Sequence, residues 1–240
     1  MLFTSVENKK IKNIKKLYTK KYRDINNEFI IEGEHLVLEA YKNGVLKEVL
    51  LEENTDIDID VEKNYVTKNV LKYISNLDNP SNILGVCIKK EKKDIGNKIV
   101  ILDGVQDPGN LGTIIRSSVA FNIDTIILGE DCVDLYNYKV LRATQGMIFS
   151  MNVITKDLTE YIPYLKANGY DVYGTDVING TNACDVKYDK IAVVMGSEGL
   201  GLSNEVKELI DKNIYIKMND TCESLNVAVA SSIIMYELNK

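Results

Sequence analysis

The chain has 240 residues, 45% hydrophobic and 27% charged, an ordinary globular composition with enough length for one large domain or two modest ones. No apolar run reaches the ~20 residues that cross a bilayer, and Cys87, Cys132, Cys184 and Cys222 are widely spaced with no CxxC pair, which argues against membrane, disulfide-scaffold and zinc-site classes alike. A net charge of −6 taken alone argues against nucleic acid, but its distribution does not.

Residues 1–25 carry Lys9, Lys10, Lys12, Lys15, Lys16, Lys20, Lys21 and Arg23 against only Glu7 and Asp24. Such a basic arm can grip phosphates even on an acidic body, because the contact is local and salt screens the remainder within about 10 Å. A lysine-rich solvated helix is the alternative. The segment has no apolar stretch of the secretory kind, so a cytoplasmic protein is expected. Glu34 to Asn43 sets Leu36, Val37, Ala40 and Tyr41 at helical spacing before Gly44, and Val49–Leu51 and Ile83–Ile88 read as strands. The lysine-rich stretch that follows reads as a linker. The expected organisation is therefore a small α/β unit over residues 1–90, a linker over 91–98 and a larger domain over 99–240.

Within the larger domain, Ile99–Leu102, Thr125–Leu128, Asp171–Tyr173, Ile191–Met195 and Ile214–Ile216 are short apolar or β-branched runs. They alternate with helical patterns at Leu111–Phe121, Leu158–Asn168, Glu205–Asp211 and Asn226–Leu238. Unbroken apolar strands separated by helices predict an α/β fold with a mostly parallel sheet covered on both faces. Ligands in such sheets bind beyond the carboxyl ends of the strands, and the glycine-rich and polar segments fall there.

Three of those segments can carry chemistry. In Asp103–Arg116 a strand gives way to a Gly/Pro loop, Asn110 stands where a helix N-cap is expected, and Arg116 and Thr113 lie opposite an arc of Leu111, Ile114, Ile115, Ser118 and Val119. The spacing is neither GxGxxG nor a Walker loop. In Gly196–Ser203, three glycines follow a buried strand; Ser203 is a good N-cap, and Glu198 is a charge that a loop built only for turning does not need. In Ile214–Ala230 a strand leads into a polar loop and then, with Ser224 as the expected cap, into an apolar helix rich in small residues. Arginine occurs only at Arg23, Arg116 and Arg142, so these are the positions to examine for a planar fork.

Together the segments resemble the three signature motifs of the SpoU/TrmH RNA 2′-O-ribose methyltransferases, in the SPOUT superfamily. Asn110, Gly112 and Arg116 fit the first motif; Gly196, Glu198, Gly201, Leu202 and Ser203 fit the second; Ile216, Met218, Ser224, Leu225, Asn226 and Val227 fit the third. Residues 22–41 are similar to the small RNA-binding domain found on many members, and the Arg142–Gly146 stretch is also similar to the family. Two positions depart from the third motif, Lys217 for proline and Asp220 for glycine, and Asn219 or Asp220 is expected to supply the left-handed backbone in glycine's place.

The resemblance implies a C-terminal trefoil knot, which sequence rules do not predict, a homodimer, and S-adenosylmethionine as cofactor. It implies cofactor contacts at Thr175, Gly196, Ile216, Met218 and Leu225, and a reacting centre of Asn110, Arg116, Glu198, Ser224 and Asn226. RNA contacts are expected from Lys9, Lys10, Lys12, Lys16, Lys20, Lys21, Arg23 and Arg142, with no metal. The implied activity is 2′-O-methylation of a ribose in RNA, ribosomal 23S rather than transfer RNA. Two alternatives stay open: a non-catalytic RNA-binding relative acting in ribosome assembly, and a Rossmann nucleotide-cofactor enzyme, which lacks its fingerprint here. His35, the single histidine, lies on a helix away from all three segments and reads as structural, leaving a Ser–His–Asp hydrolase without its base.

Overall fold

The computed structural model describes residues 2–240 except 91–93 and 178. Two compact units emerge: residues 1–91 with 134–149, and residues 92–133 with 150–240. Residues 134–149 go with the first unit rather than with the residues that surround them in sequence, and Lys98, expected in the linker, opens the first strand of the second unit. Of the expected linker, residues 91–93 lie outside the described residues; 94–97 are irregular.

The first unit runs β1 (Leu2–Phe3), α1 (Lys9–Lys16), α2 (Lys20–Asn26), β2 (Glu28–Glu32), α3 (Glu34–Lys42), β3 (Leu46–Glu52), β4 (Glu62–Val66), α4 (Lys68–Ile74) and β5 (Ile83–Ile88). Its sheet has the order β1-β4-β3-β5-β2, with β2 and β3 antiparallel to β5 and the other pairings parallel. Ile11, Ile14 and Leu17 from the α1 side and Val70, Leu71 and Ile74 from α4 pack with Ile30, Leu50 and Leu84 of the sheet in one core. This is why β5 is apolar at successive positions: both of its faces are covered. Sequence patterning missed β4 because it is mostly polar; its buried Asn64 donates to the buried Glu48 of β3 at 2.8 Å.

The basic arm is less free than its charge suggests. Lys10 reaches Glu48 at 2.5 Å and Glu62 at 2.9 Å. Burial works against its charge, but the hydrogen bonds to those two carboxylates outweigh burial and hold its pKa above the ordinary lysine range. Lys12 pairs with Glu7. Arg23, expected to contact RNA, is a correction: only 4% exposed, it donates to the carbonyls of Leu17 (3.0 Å) and Tyr18 (2.7 Å) and to Asp134 Oδ1 (2.8 Å). It ties the turn after α1 to the 134–149 segment inside the first unit.

The second unit continues with β6 (Lys98–Leu102), α5 (Pro108–Ala120) and β7 (Thr125–Leu128). Next in the chain, α6 (Tyr138–Ala143) belongs to the first unit. Then follow β8 (Asn152–Thr155), α7 (Leu158–Ala167), β9 (Asp171–Thr175), β10 (Thr181–Asn182), β11 (Ile191–Met195), α8 (Asn204–Lys207), β12 (Lys212–Tyr215) and α9 (Val227–Leu238). The sheet order is β10-β12-β9-β11-β6-β7-β8, and every pairing is parallel. α7 and α8 place Leu158, Ile162, Leu165 and Val206 against Ile101, Ile127 and Val194. α5 packs against α9, with Ser118 Oγ donating to Met235 Sδ and Ser117 and Ser232 sharing a 2.7 Å bond.

Three local expectations are corrected. α5 begins at Pro108, and its cap is Asp107, whose carboxylate accepts the Asn110 N–H; Asn110 is inside the first turn. α9 is capped by Asn226 rather than Ser224, because Asn226 Oδ1 accepts from Ala228 N (2.9 Å) and Val229 N (3.2 Å). α8 ends at Lys207 rather than Asp211, since the following N–H groups of Leu209 and Ile210 bond only three residues back, to Val206 O and Lys207 O.

Asp134→Ala strands the Arg23 guanidinium in the interior without its carboxylate. We expect a loss of about 3 kcal/mol, seen as a lower urea midpoint; an unchanged midpoint would show that the pair contributes nothing to the first unit.

Candidate active site

In a fully parallel sheet every strand delivers its C-terminal loop to the same edge. The three segments singled out from sequence meet there for that reason. The loop after β11 carries Glu198, the loop after β6 leads to Asn110, and the loop after β12 ends at Asn226. Asn110 Nδ2 donates to Glu198 Oε1, Asn226 Nδ2 donates to the same oxygen at 2.7 Å, and Asn226 Nδ2 also lies 3.1 Å from Asn110 Oδ1. One carboxylate oxygen is thus held by two amides, and the second is left free to accept.

The glycine loop is shaped by close approach. A Cβ on Gly196 would lie 2.2 Å from the backbone carbon of Gly201, so only glycine allows the loop to fold back on itself. The two ends are clasped by Ser197 N to Gly201 O (2.9 Å) and Gly201 N to Ser197 O (3.0 Å), with Gly201 at φ +68°. Asp103, buried at the end of β6, fixes the far side by accepting the Ser203 N–H at 2.7 Å. Ser203 caps α8 as expected, through Val206 N.

Inside this edge is a cavity of about 380 Å³, lined among others by Thr175, Gly196, Ile216, Met218, Ser224 and Leu225, with Glu198 at its rim. All five residues expected to hold the cofactor are therefore on one wall system. Its size falls in the range of small-molecule sites, and it offers apolar side chains beside exposed glycine-loop backbone. The residues present fit a ligand with an apolar ring and polar substituents. Thr175 is itself oriented by donating to Val194 O at 3.1 Å. In the last loop neither Asn219 nor Asp220 takes the expected left-handed backbone. The turn is made instead by Asn219, whose Oδ1 accepts from Thr221 N (3.0 Å) and Oγ1 (2.7 Å). Lys217 and Asp220 are exposed and do not line the cavity.

Arg116 is exposed on α5, with no hydrogen bond or ion pair to its guanidinium among the described residues and no place in the cavity wall. Arg142 is exposed on α6 in the first unit. Asp103, Asp107, Asp131 and Leu200 also line a space at this edge, and sequence reasoning gave none of them a role. The only signal was Asp103 itself, an acid directly after a buried strand. Cys132, beside Asp131, is no nucleophile: burial raises its thiol pKa, against the opposing pull of nearby backbone groups at Val105, Gly104 and Gly129. Among the described residues no group of three acids, histidines or cysteines could hold a metal.

Two stretches of the chain match known families. Residues 97–236 match the SpoU rRNA Methylase family, and residues 8–85 match the MRM3-like substrate binding domain. The 23S rRNA (guanosine(2553)-2′-O)-methyltransferase RlmP of Bacillus subtilis is 39% identical over 241 residues, covering 98% of this chain and 97% of its own. An rRNA methyltransferase from Sinorhizobium meliloti superposes with a TM-score of 0.85 at 28% identity, over 99% of this chain and 96% of that one. An AdoMet-bound rRNA methyltransferase structure from the same organism gives 0.84 at 28% identity, with the same coverage.

Asn226→Ala removes both the α9 cap and the amide that holds Glu198. We expect about 1 kcal/mol of destabilisation in urea from the cap alone. Ser224→Ala should leave the midpoint unchanged, and a drop equal to that of Asn226→Ala would return the cap to Ser224.

Proposed function

The chain belongs to the SpoU rRNA methylase family, and from that premise we propose what it modifies and which residues do the work. It is an RNA ribose 2′-O-methyltransferase that uses S-adenosylmethionine, and its substrate is a guanosine of 23S ribosomal RNA. The observation that carries this reading is the meeting of Asn110, Glu198 and Asn226 at the rim of the 380 Å³ cavity, in a chain matched end to end by a 23S rRNA methyltransferase.

S-adenosylmethionine, bound by Thr175, Gly196, Ile216, Met218 and Leu225, supplies a methyl group already activated on a sulfonium. What the protein must add is position and charge stabilisation. Asn110 and Asn226 aim Glu198 so that its free oxygen accepts the hydrogen bond of the ribose 2′-hydroxyl and passes the proton to solvent. Ser224, exposed in the cavity wall, orients the same hydroxyl. Arg116 stays protonated; it clamps the target phosphate and stabilises the charge growing on the oxygen.

RNA is held by the basic side chains that the first unit leaves uncommitted. Lys9, Lys16, Lys21 and Arg142 are exposed, Lys20 is exposed but lies 4.0 Å from Asp134, and Lys10, Lys12 and Arg23 are engaged by Glu48 and Glu62, Glu7 and Asp134. The protein acts in the cytoplasm as a homodimer. The outward Val229 and Tyr236 of α9, 47% and 51% exposed, support a partner there. No helix among the described residues is long and apolar enough to cross a membrane. The insertion of β12 between β9 and β10 supports a threaded C-terminal segment, the knot the family resemblance implies.

The decisive assay is transfer of tritiated methyl from S-adenosylmethionine to total RNA from a strain lacking the gene. Label should enter 23S RNA with wild type, and Arg116→Ala should fall about 100-fold or more in kcat while still binding cofactor. Arg116→Lys should not restore it; near-normal turnover of that variant rules out a bidentate clamp. Cofactor binding without any transfer to RNA would instead favour the non-catalytic relative.

A separate measurement checks the RNA surface. Removing Lys16 and Lys21 together should lessen the salt slope of RNA binding by about 1.5, whereas Lys12→Ala should leave it unchanged. Equal effects would mean that the Glu7 pair does not withdraw Lys12 from RNA.

A further inference from the structure

Beside the cofactor cavity is a second one of about 390 Å³, and the Ser197–Gly201 segment is a wall of both. Glu198 lines both spaces, so their junction is where a methyl donor and its acceptor would meet. Four carboxylates face the second cavity, and three are already used. Asp103 accepts from Ser203 N, Asp107 from Asn110 N, and Glu198 from Asn110 and Asn226. Asp131 is exposed and has no hydrogen bond or ion pair among the described residues. Leu200, at the lip, is 86% exposed, and the glycines on either side of it have open space around them.

We propose that this second cavity receives the base of the target nucleotide and selects guanine, with Asp131 reading the base edge and Leu200 lying on the base face. The proposal rests on the methyltransferase function above and names the feature of the substrate that it recognises. Enzymes that act on one nucleotide take it out of the stack and read its Watson–Crick edge, packing the ring against apolar side chains. An ionised carboxylate only accepts hydrogen bonds, through two oxygens. Guanine alone among the four RNA bases presents two adjacent N–H donors on that edge, N1–H and the N2 amino group. Adenine and cytosine set one amino group beside a ring-nitrogen acceptor, and uracil sets one N–H between two carbonyls, so each would turn an acceptor toward a carboxylate oxygen. The same acids disfavour a phosphate, so the cavity suits a base edge rather than the RNA backbone. A base held here brings its ribose to the shared wall, at Glu198. The guanosine named for the Bacillus subtilis relative agrees with this selection.

The test begins with 23S RNA from a strain lacking the gene, methylated with tritiated S-adenosylmethionine, digested and analysed by nucleoside. The modified position is then placed in a synthetic RNA carrying guanosine or inosine, which lacks the N2 amino group. Label is expected only in 2′-O-methylguanosine. For wild type, inosine should raise KM about tenfold or more, and Asp131→Asn should raise KM for guanosine similarly. Asp131→Asn should not distinguish the two bases, and its urea midpoint and calorimetric affinity for S-adenosylmethionine should match wild type. Leu200→Ala should raise KM several-fold with kcat little changed. Label in another 2′-O-methyl nucleoside, a wild type indifferent to inosine, or an inosine penalty that persists in Asp131→Asn would each overturn base selection by Asp131 while leaving the methyltransferase function intact. Absence of ribose methylation by wild type would overturn both.

Discussion

The site depends on the side-chain amide of Asn226 being used at both ends. Its oxygen accepts the first free N–H groups of α9, and its nitrogen donates to Glu198 and lies within reach of Asn110. A helix N-terminus, a glycine loop and the start of a second helix are thereby tied to one small group. No other side chain of that size offers a donor pair and an acceptor together at the end of one short stem. Aspartate would keep the cap but turn a repelling oxygen toward Glu198, and serine would keep the cap but not reach.

This contact can form only because the sheet beneath it is wholly parallel. Parallel strands need crossovers, three of the crossovers here are the helices α5, α7 and α8, and the central apolar strands are buried. The result separates two tasks. The sheet and its helices supply stability, and the loops at the carboxyl edge are free to carry polar groups. Asp103 links the two, since it is buried at the end of β6 and holds the backbone of the glycine loop.

The first unit shows that charge counted along a chain is not charge available to a ligand. Its arm is strongly basic, yet Lys10, Lys12 and Arg23 are spent on neighbouring carboxylates, and Arg23 is an interior strut. A guanidinium suits that strut: its fork reaches two carbonyls and a carboxylate at once. The arginines singled out as possible forks thus divide between an internal brace at Arg23 and exposed groups at Arg116 and Arg142.

The sequence by itself determined the alternation of apolar strands with helices, hence the parallel sheet, and the three polar segments at its carboxyl edge. Those features follow from local periodicity and from glycine and capping chemistry, which act over a few residues. It also pointed to Gly196, Glu198, Asn110 and Asn226 as residues of consequence. Only the tertiary structure decided that Asn226 rather than Ser224 caps α9, that Asp107 rather than Asn110 caps α5, and that residues 134–149 pack with the first unit. The competing caps are chemically alike, and the choice between them is made by loop geometry. The burial of Arg23 and the role of Asp103 likewise come from contacts about a hundred residues apart in sequence, and no local pattern encodes such a pairing.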